Sequence, residues 1–149
     1  MNARKNSSAR TRILIADDHN QMREQVVREL EPEFEVVGAV ANGEALLGAA
    51  QKMQPDVCIL DISMPIMSGI EAAAQLQASN SVSRIVFLTV HKELDFVEAA
   101  LNTGALGYVL KSRMGADLIP AIHAVLSGRL FVSPGCDFPN GETDDQWSV

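Results

Sequence analysis

Four short apolar runs in this chain each close abruptly on a polar residue. Ile13-Leu14-Ile15-Ala16 leads into Asp17 and Asp18, Val57-Cys58-Ile59-Leu60 into Asp61, Ile85-Val86-Phe87-Leu88 into Thr89, and Tyr108-Val109-Leu110 into Lys111. Runs this short and this uniformly apolar read as strands buried on both faces, the pattern of a parallel sheet. Parallel neighbours need a long crossover, usually a helix. The intervening segments supply it: Met22, Val26, Val27 and Leu30 recur at helical spacing, as do Ala45, Leu46, Ala49, Ala50 and Met53.

A third helix is predicted to start at Ser68-Gly69-Ile70-Glu71, where a serine and a glutamate three residues on can form a capping box. A fourth carries Phe96, Val97, Ala100 and Leu101 and stops at Gly104; a fifth carries Leu118, Ile119, Ile122, Val125 and Leu126 and stops at Gly128. Pro120 is expected in the irregular first turn of that last helix, where little bonding is lost. The segment 34–40, with Gly38 inside it, reads as an edge strand. Five strands alternating with five helices imply an α/β parallel sheet covered on both faces by right-handed crossovers, and the doubly wound, flavodoxin-like strand order 2-1-3-4-5 is the expected one. In that order ligands bind outside the carboxyl ends of the first and third strands, where Asp17, Asp18 and Asp61 stand. Three carboxylates repel one another unless protons or a cation compensate, and an all-oxygen set suits Mg²⁺, with Mn²⁺ as the alternative.

Length and composition set the remaining bounds. A chain of 149 residues with 47% hydrophobic and 21% charged residues can bury one substantial core. No apolar stretch approaches the length of a membrane span, and the polar first twelve residues do not resemble a secretory signal, so a cytoplasmic protein is expected. Cys58, inside a strand, and Cys136, in a Pro/Gly-rich stretch, are not expected to pair. Arg4, Lys5, Arg10 and Arg12 put +4 into the first twelve residues, which leaves −11 of the net −7 on the rest. An acidic body is repelled by nucleic-acid phosphates, so no direct nucleic-acid contact by this domain is expected, and no membrane contact. The chain divides into a basic flexible tail over 1–11, a domain over 12–134 and an acidic flexible tail over 135–149 that carries Trp147.

The motifs Ala16-Asp17-Asp18-His19, Leu60-Asp61-Ile62-Ser63-Met64-Pro65 followed by Gly69, Leu88-Thr89, and Gly104 through Lys111 resemble the receiver domain of two-component response regulators, over about residues 11–134. Ala121 through Leu126 with Val132-Ser133-Pro134 further resembles the NarL-type subfamily, whose members usually carry a C-terminal helix-turn-helix; none is expected in this chain. The resemblance implies that Asp61 accepts a phosphoryl group from a phosphohistidine on a sensor histidine kinase or histidine phosphotransfer protein. Mg²⁺ would be held by Asp17, Asp18, Asp61 and the backbone carbonyl of Ser63, while Lys111 and Thr89 contact phosphoryl oxygens. Thr89 and Tyr108 would form a switch, with Tyr108 turning from exposed to buried and altering a surface for a downstream partner or a second copy. The module would be no enzyme in the ordinary sense, only assisting its own phosphorylation and dephosphorylation.

The likeness leaves particulars open. Lys111 is followed by Ser112, where many receivers have proline, and Val90 is larger than the small residue often found after the threonine, which narrows water access to a phosphorylated Asp61. Ser63 and His91 occupy positions that vary among receivers and tune dephosphorylation, with no direction assigned. His19 is assigned to loop packing, since imidazole suits softer metals. Two other readings stand beside the leading one: the receiver part of a truncated DNA-binding transcriptional regulator, and an aspartyl-nucleophile phosphohydrolase, against which Ser63 stands where that chemistry needs a second acid.

Overall fold

The computed structural model describes residues 10–137, so Arg4, Lys5, Trp147 and most of both expected tails lie outside the described residues. The four apolar runs are strands, and their neighbours follow in strict alternation: β1 (Arg12–Ala16), α1 (Asn20–Leu30), β2 (Glu35–Val40), α2 (Gly43–Met53), β3 (Val57–Leu60), α3 (Gly69–Ala78), β4 (Arg84–Thr89), α4 (Leu94–Leu101), β5 (Gly107–Leu110), a 3₁₀ turn (Lys111–Arg113), α5 (Met114–Leu126) and β6 (Phe131–Val132). Every pairing is parallel. The order β2-β1-β3-β4-β5 is the expected one, and β6 extends it beyond β5, so the sheet has six strands where the sequence predicted five. A two-residue strand carries no readable alternation. It exists through its pairing with β5, in which Phe131 and Val132 stand opposite Gly107 and Tyr108.

Alternate residues of each inner strand feed two cores. Leu14, Cys58, Leu60, Phe87 and Tyr108 meet α2, α3 and α4 through Leu46, Ala50, Ala72, Leu76 and Val97. Ile13, Ile15, Ile59, Val86 and Val109 meet α1 and α5 through Val26, Leu30, Leu118, Ile122 and Val125. Both faces of the sheet are thus covered, which is why the strands read as unbroken apolar runs.

The helix starts follow local chemistry. Ser68 Oγ accepts from Glu71 N at 3.1 Å, the serine half of the capping box, and Asn42 Oδ1 accepts from Ala45 N at 2.8 Å. Gly104 and Gly128 follow the ends of α4 and α5 with φ of +94° and +77°, a region closed to most side chains. One expectation needs correcting. α5 begins at Met114, so Pro120 is its seventh residue and lies in the second turn rather than the first. Pro120 and Ala116, whose carbonyl loses its usual partner, both face solvent, so water can take the missing donor's place.

Candidate functional site

Register brings the polar residues that end the strands to one level. Ala16 stands beside Leu60 and Leu88 beside Val109, so Asp17, Asp61, Thr89 and Lys111 all emerge at the carboxyl edge of the sheet. Asp61 N donates to Ala16 O at 2.9 Å and Asp17 N to Val40 O at 3.0 Å, so the backbones that carry the two acids are fixed by the ladder itself. Gly69 closes the site from behind: a Cβ there would lie 1.9 Å from the Asp61 carbonyl oxygen, so α3 can approach the acid only through glycine.

Asp17 and Asp61 are 2% and 5% exposed, and both engage one ammonium group: Lys111 Nζ lies 2.9 Å from Asp17 Oδ2 and 3.1 Å from Asp61 Oδ2. Burial pushes the Asp61 carboxyl above the usual carboxylate range, with the neighbouring Asp17 charge adding to it and Lys111 opposing it. Burial pulls the Lys111 ammonium down, but its hydrogen bonds and ion pairs with the two acids outweigh that, so its pKa is raised overall. Asp18 is more open. One ligand atom each from Asp17, Asp18, His19 and Asp61 fit within 4.8 Å of one another. One lysine against three carboxylates leaves negative charge in excess, and a hard divalent cation with oxygen ligands fits that set.

His19 departs from expectation. Its side chain is 71% exposed instead of packing a loop, and its Nδ1 lies 3.1 Å from Asp18 Oδ1 and 3.4 Å from Asp17 Oδ1. Met64 and Met67 pack against the core from the β3–α3 loop, and Gly43 N donates to Met67 O at 3.1 Å, pinning that loop to α2.

The other side of the crevice converges on His91, a hub the sequence reading noted only as a variable position. Ser63 Oγ and His91 Nε2 are 3.0 Å apart, His91 N donates to Thr89 Oγ1 at 3.1 Å, and the fully buried Tyr108 donates its hydroxyl to His91 O at 2.6 Å. The imidazole stacks on Phe96 with ring centroids 3.9 Å apart. Burial raises the Tyr108 phenol well above its ordinary pKa, which keeps it a donor. Asp61, Thr89 and Tyr108 are therefore joined through the Ser63 and His91 loops.

Among the described residues, the cluster of acidic and imidazole groups close enough to share one metal ion lies at this edge. A cleft of about 480 Å³ at the opposite end of the sheet is lined by Leu47, Gln51, Gln54, Gln75 and Ser79 among others, with no acid or base. Among the described residues no helix is long and apolar enough to cross a membrane. Cys58 is buried, which pushes its thiol up to about 12 and leaves it inert, and neither Cys58 nor Cys136 is in a disulfide.

Residues 13–123 match the response regulator receiver domain. The chain belongs to that family. It is 39% identical over 124 residues to the transcriptional regulatory protein DegU of Brevibacillus brevis, covering 82% of this chain and 52% of DegU. It is 36% identical over 123 residues to the nitrate/nitrite response regulator NarL of Escherichia coli K12, covering 81% and 57%. Among solved structures it resembles the receiver domain of the response regulator NarL from Mycobacterium tuberculosis, with a TM-score of 0.77, 34% identity and coverage of 80% of this chain and 98% of that one. The chain spans about half to two-thirds of the length of the curated relatives it matches. It is a receiver domain of two-component systems with NarL- and LuxR-type relatives, and its parallel sheet is the flavodoxin-like one of that family.

Proposed function

We propose that this receiver domain accepts a phosphoryl group on Asp61 from the phosphohistidine of a sensor histidine kinase or histidine phosphotransfer protein. The observation that carries this reading is the buried pair Asp61 and Asp17 sharing the Lys111 ammonium, a nucleophile kept beside a cation that can follow the phosphoryl oxygens. An Asp61 oxygen forms the new O–P bond as the donor's P–N bond breaks; the imidazole leaves with the electron pair and takes up a proton from solvent. Lys111 shifts from the Asp61 carboxylate to a phosphoryl oxygen, and the Thr89 hydroxyl donates to another while still accepting from His91 N. Mg²⁺, or Mn²⁺ in its place, held by Asp17, Asp18, Asp61 and the Ser63 carbonyl, would supply neutralisation of the charge on the transferred group. The domain runs over 12–134, and it acts in the cytoplasm as a signalling acceptor and not as a turnover enzyme.

Output follows from Thr89 and Tyr108. Both meet His91, so a hydroxyl drawn to the phosphoryl group biases the loop that Tyr108 holds and with it the α4–β5 face, for a protein partner or a second copy. A second reading is favoured by the relatives' names and lengths: the receiver of a DNA-binding regulator, with this domain itself touching no nucleic acid and no membrane. The test is incubation with acetyl phosphate or beryllofluoride, with and without Mg²⁺, read by intact mass and size-exclusion elution. Mg²⁺-dependent modification of wild type and none of Asp61→Asn is expected; equal modification of both defeats the assignment of Asp61.

A further inference from the structure

Lys111 is flanked on both sides by residues tied to a single buried carboxylate. Leu110 N donates to Ser133 Oγ at 3.1 Å, and Ser133 Oγ donates to Asp117 Oδ2 at 2.7 Å. From the other side Arg113 Nε donates to Asp117 Oδ2 at 2.7 Å and Nη2 to Oδ1 at 3.2 Å. Ser133 is fully buried and Asp117 is 5% exposed. A carboxylate withdrawn from water is tolerated only when donors replace the lost hydration, and this one has three.

The position of Ser133 has a backbone cause. β6 ends at Val132, so no further strand residue stands ready for the Leu110 N–H on that side, and the serine hydroxyl takes it. Ser133 N in turn donates to Tyr108 O at 2.9 Å, and Asp137 N donates to Lys92 O at 2.9 Å, so the chain leaving the domain crosses from the Lys111 loop to the His91 loop. None of Asp117, Ser133 and Arg113 belongs to the acceptor set, and nothing in the acceptor chemistry requires them.

We propose that Asp117 and Ser133 are positioning residues for Lys111: their cluster fixes the 3₁₀ turn that begins at Lys111, sets the ammonium where both acids meet, and thereby couples the chain's exit after β6 to the occupancy of the site. The proposal rests on Asp61 as the acceptor. A lysine has four rotatable bonds, and transfer chemistry that depends on one nitrogen gains from holding the backbone at its root. Because Ser133 serves both Lys111 and the exit strand, whatever steadies one steadies the other, and the coupling is reciprocal.

A double-mutant cycle tests this with beryllofluoride and Mg²⁺ as the probe, its affinity measured by calorimetry for wild type, Ser133→Ala, Lys111→Ala and the double variant, with Asp117→Asn in a parallel cycle. Ser133→Ala is expected to weaken binding about three- to tenfold, the scale of one lost hydrogen bond with its partners left unmatched, and to have no further effect once Lys111 is gone. Mg²⁺ affinity alone should not fall, because Lys111 is not a ligand. Wild-type binding that is unchanged in Ser133→Ala and Asp117→Asn overturns the proposal, as does an undiminished loss in the Lys111→Ala background, the mark of general loosening. Failure of wild type to bind beryllofluoride overturns the acceptor reading itself and this proposal with it. Should either variant fold poorly, hydrogen exchange on wild type decides: beryllofluoride must slow exchange at Leu110 and Ser133, and unchanged rates there overturn the coupling.

Discussion

Asp61 is held in conflict with its own charge. Its pKa is raised, so the folded state binds its proton more tightly than the unfolded chain does. Stability from this group is therefore fully present below the ordinary carboxylate range and is lost as pH rises through the folded value. Asp61→Asn removes the cost: in metal-free buffer its melting temperature should exceed that of wild type by about 3 °C at pH 7, with the gap closing below pH ~4. A gap independent of pH would show that the gain comes from elsewhere. Ile66 carries a different strain, a β-branched residue at φ +71° and 74% exposed, in the loop beside the acid. Left-handed backbone costs such a residue about 1–2 kcal/mol, so Ile66→Asn should stabilise by about 1 kcal/mol in urea titration. The acidic set, Thr89 and Lys111 were legible because each ends an apolar run. Ile66's backbone and the convergence on His91 were not, since both arise from loops whose paths follow no periodicity.

Elements were readable where a periodic apolar face met a marked end, as at Ser68, Gly104 and Gly128. α5 shows the limit. Its apolar stripe begins at Leu118, and the turn before it contains Gly115 and Ala116, which carry no such signal; the helix starts at Met114 because Asp117 is drawn inward by Arg113 and Ser133. β6 likewise depends on partners distant in sequence. With Pro120 in the second turn, one carbonyl lacks its intrahelical donor, so Pro120→Ala should raise stability by about 1–3 kcal/mol, a fraction of the full cost of proline in a helix interior. Thermal melts at matched pH check this; a loss of stability would mean that the ring's fixed φ contributes more through the unfolded chain than the bond it removes.

At the scale of the whole molecule, the fold assembles an excess of negative charge at one edge of the sheet and leaves its neutralisation to a ligand. Asp17 and Asp61 are buried side by side, Asp18 and His19 stand at the rim, and one ammonium serves both buried acids. A cation that binds this arrangement and not the unfolded chain must stabilise the fold by RT ln(1 + [L]/Kd), which adds about 1.4 kcal/mol for each tenfold rise in concentration above Kd. The melting temperature of wild type should therefore climb with the logarithm of Mg²⁺ concentration once the site begins to fill, at ionic strength held constant with a monovalent salt. Chelation should return it to its starting value. Asp18→Asn removes an exposed carboxylate with little packing at stake, so it should fold as wild type does but lose most of the Mg²⁺ response. Asp56→Asn, a change to an acid at the opposite end of the sheet, should keep it. A response of equal slope in the Asp18 variant would assign the effect to general screening of the acidic body and would remove the physical ground for a cation at the acceptor.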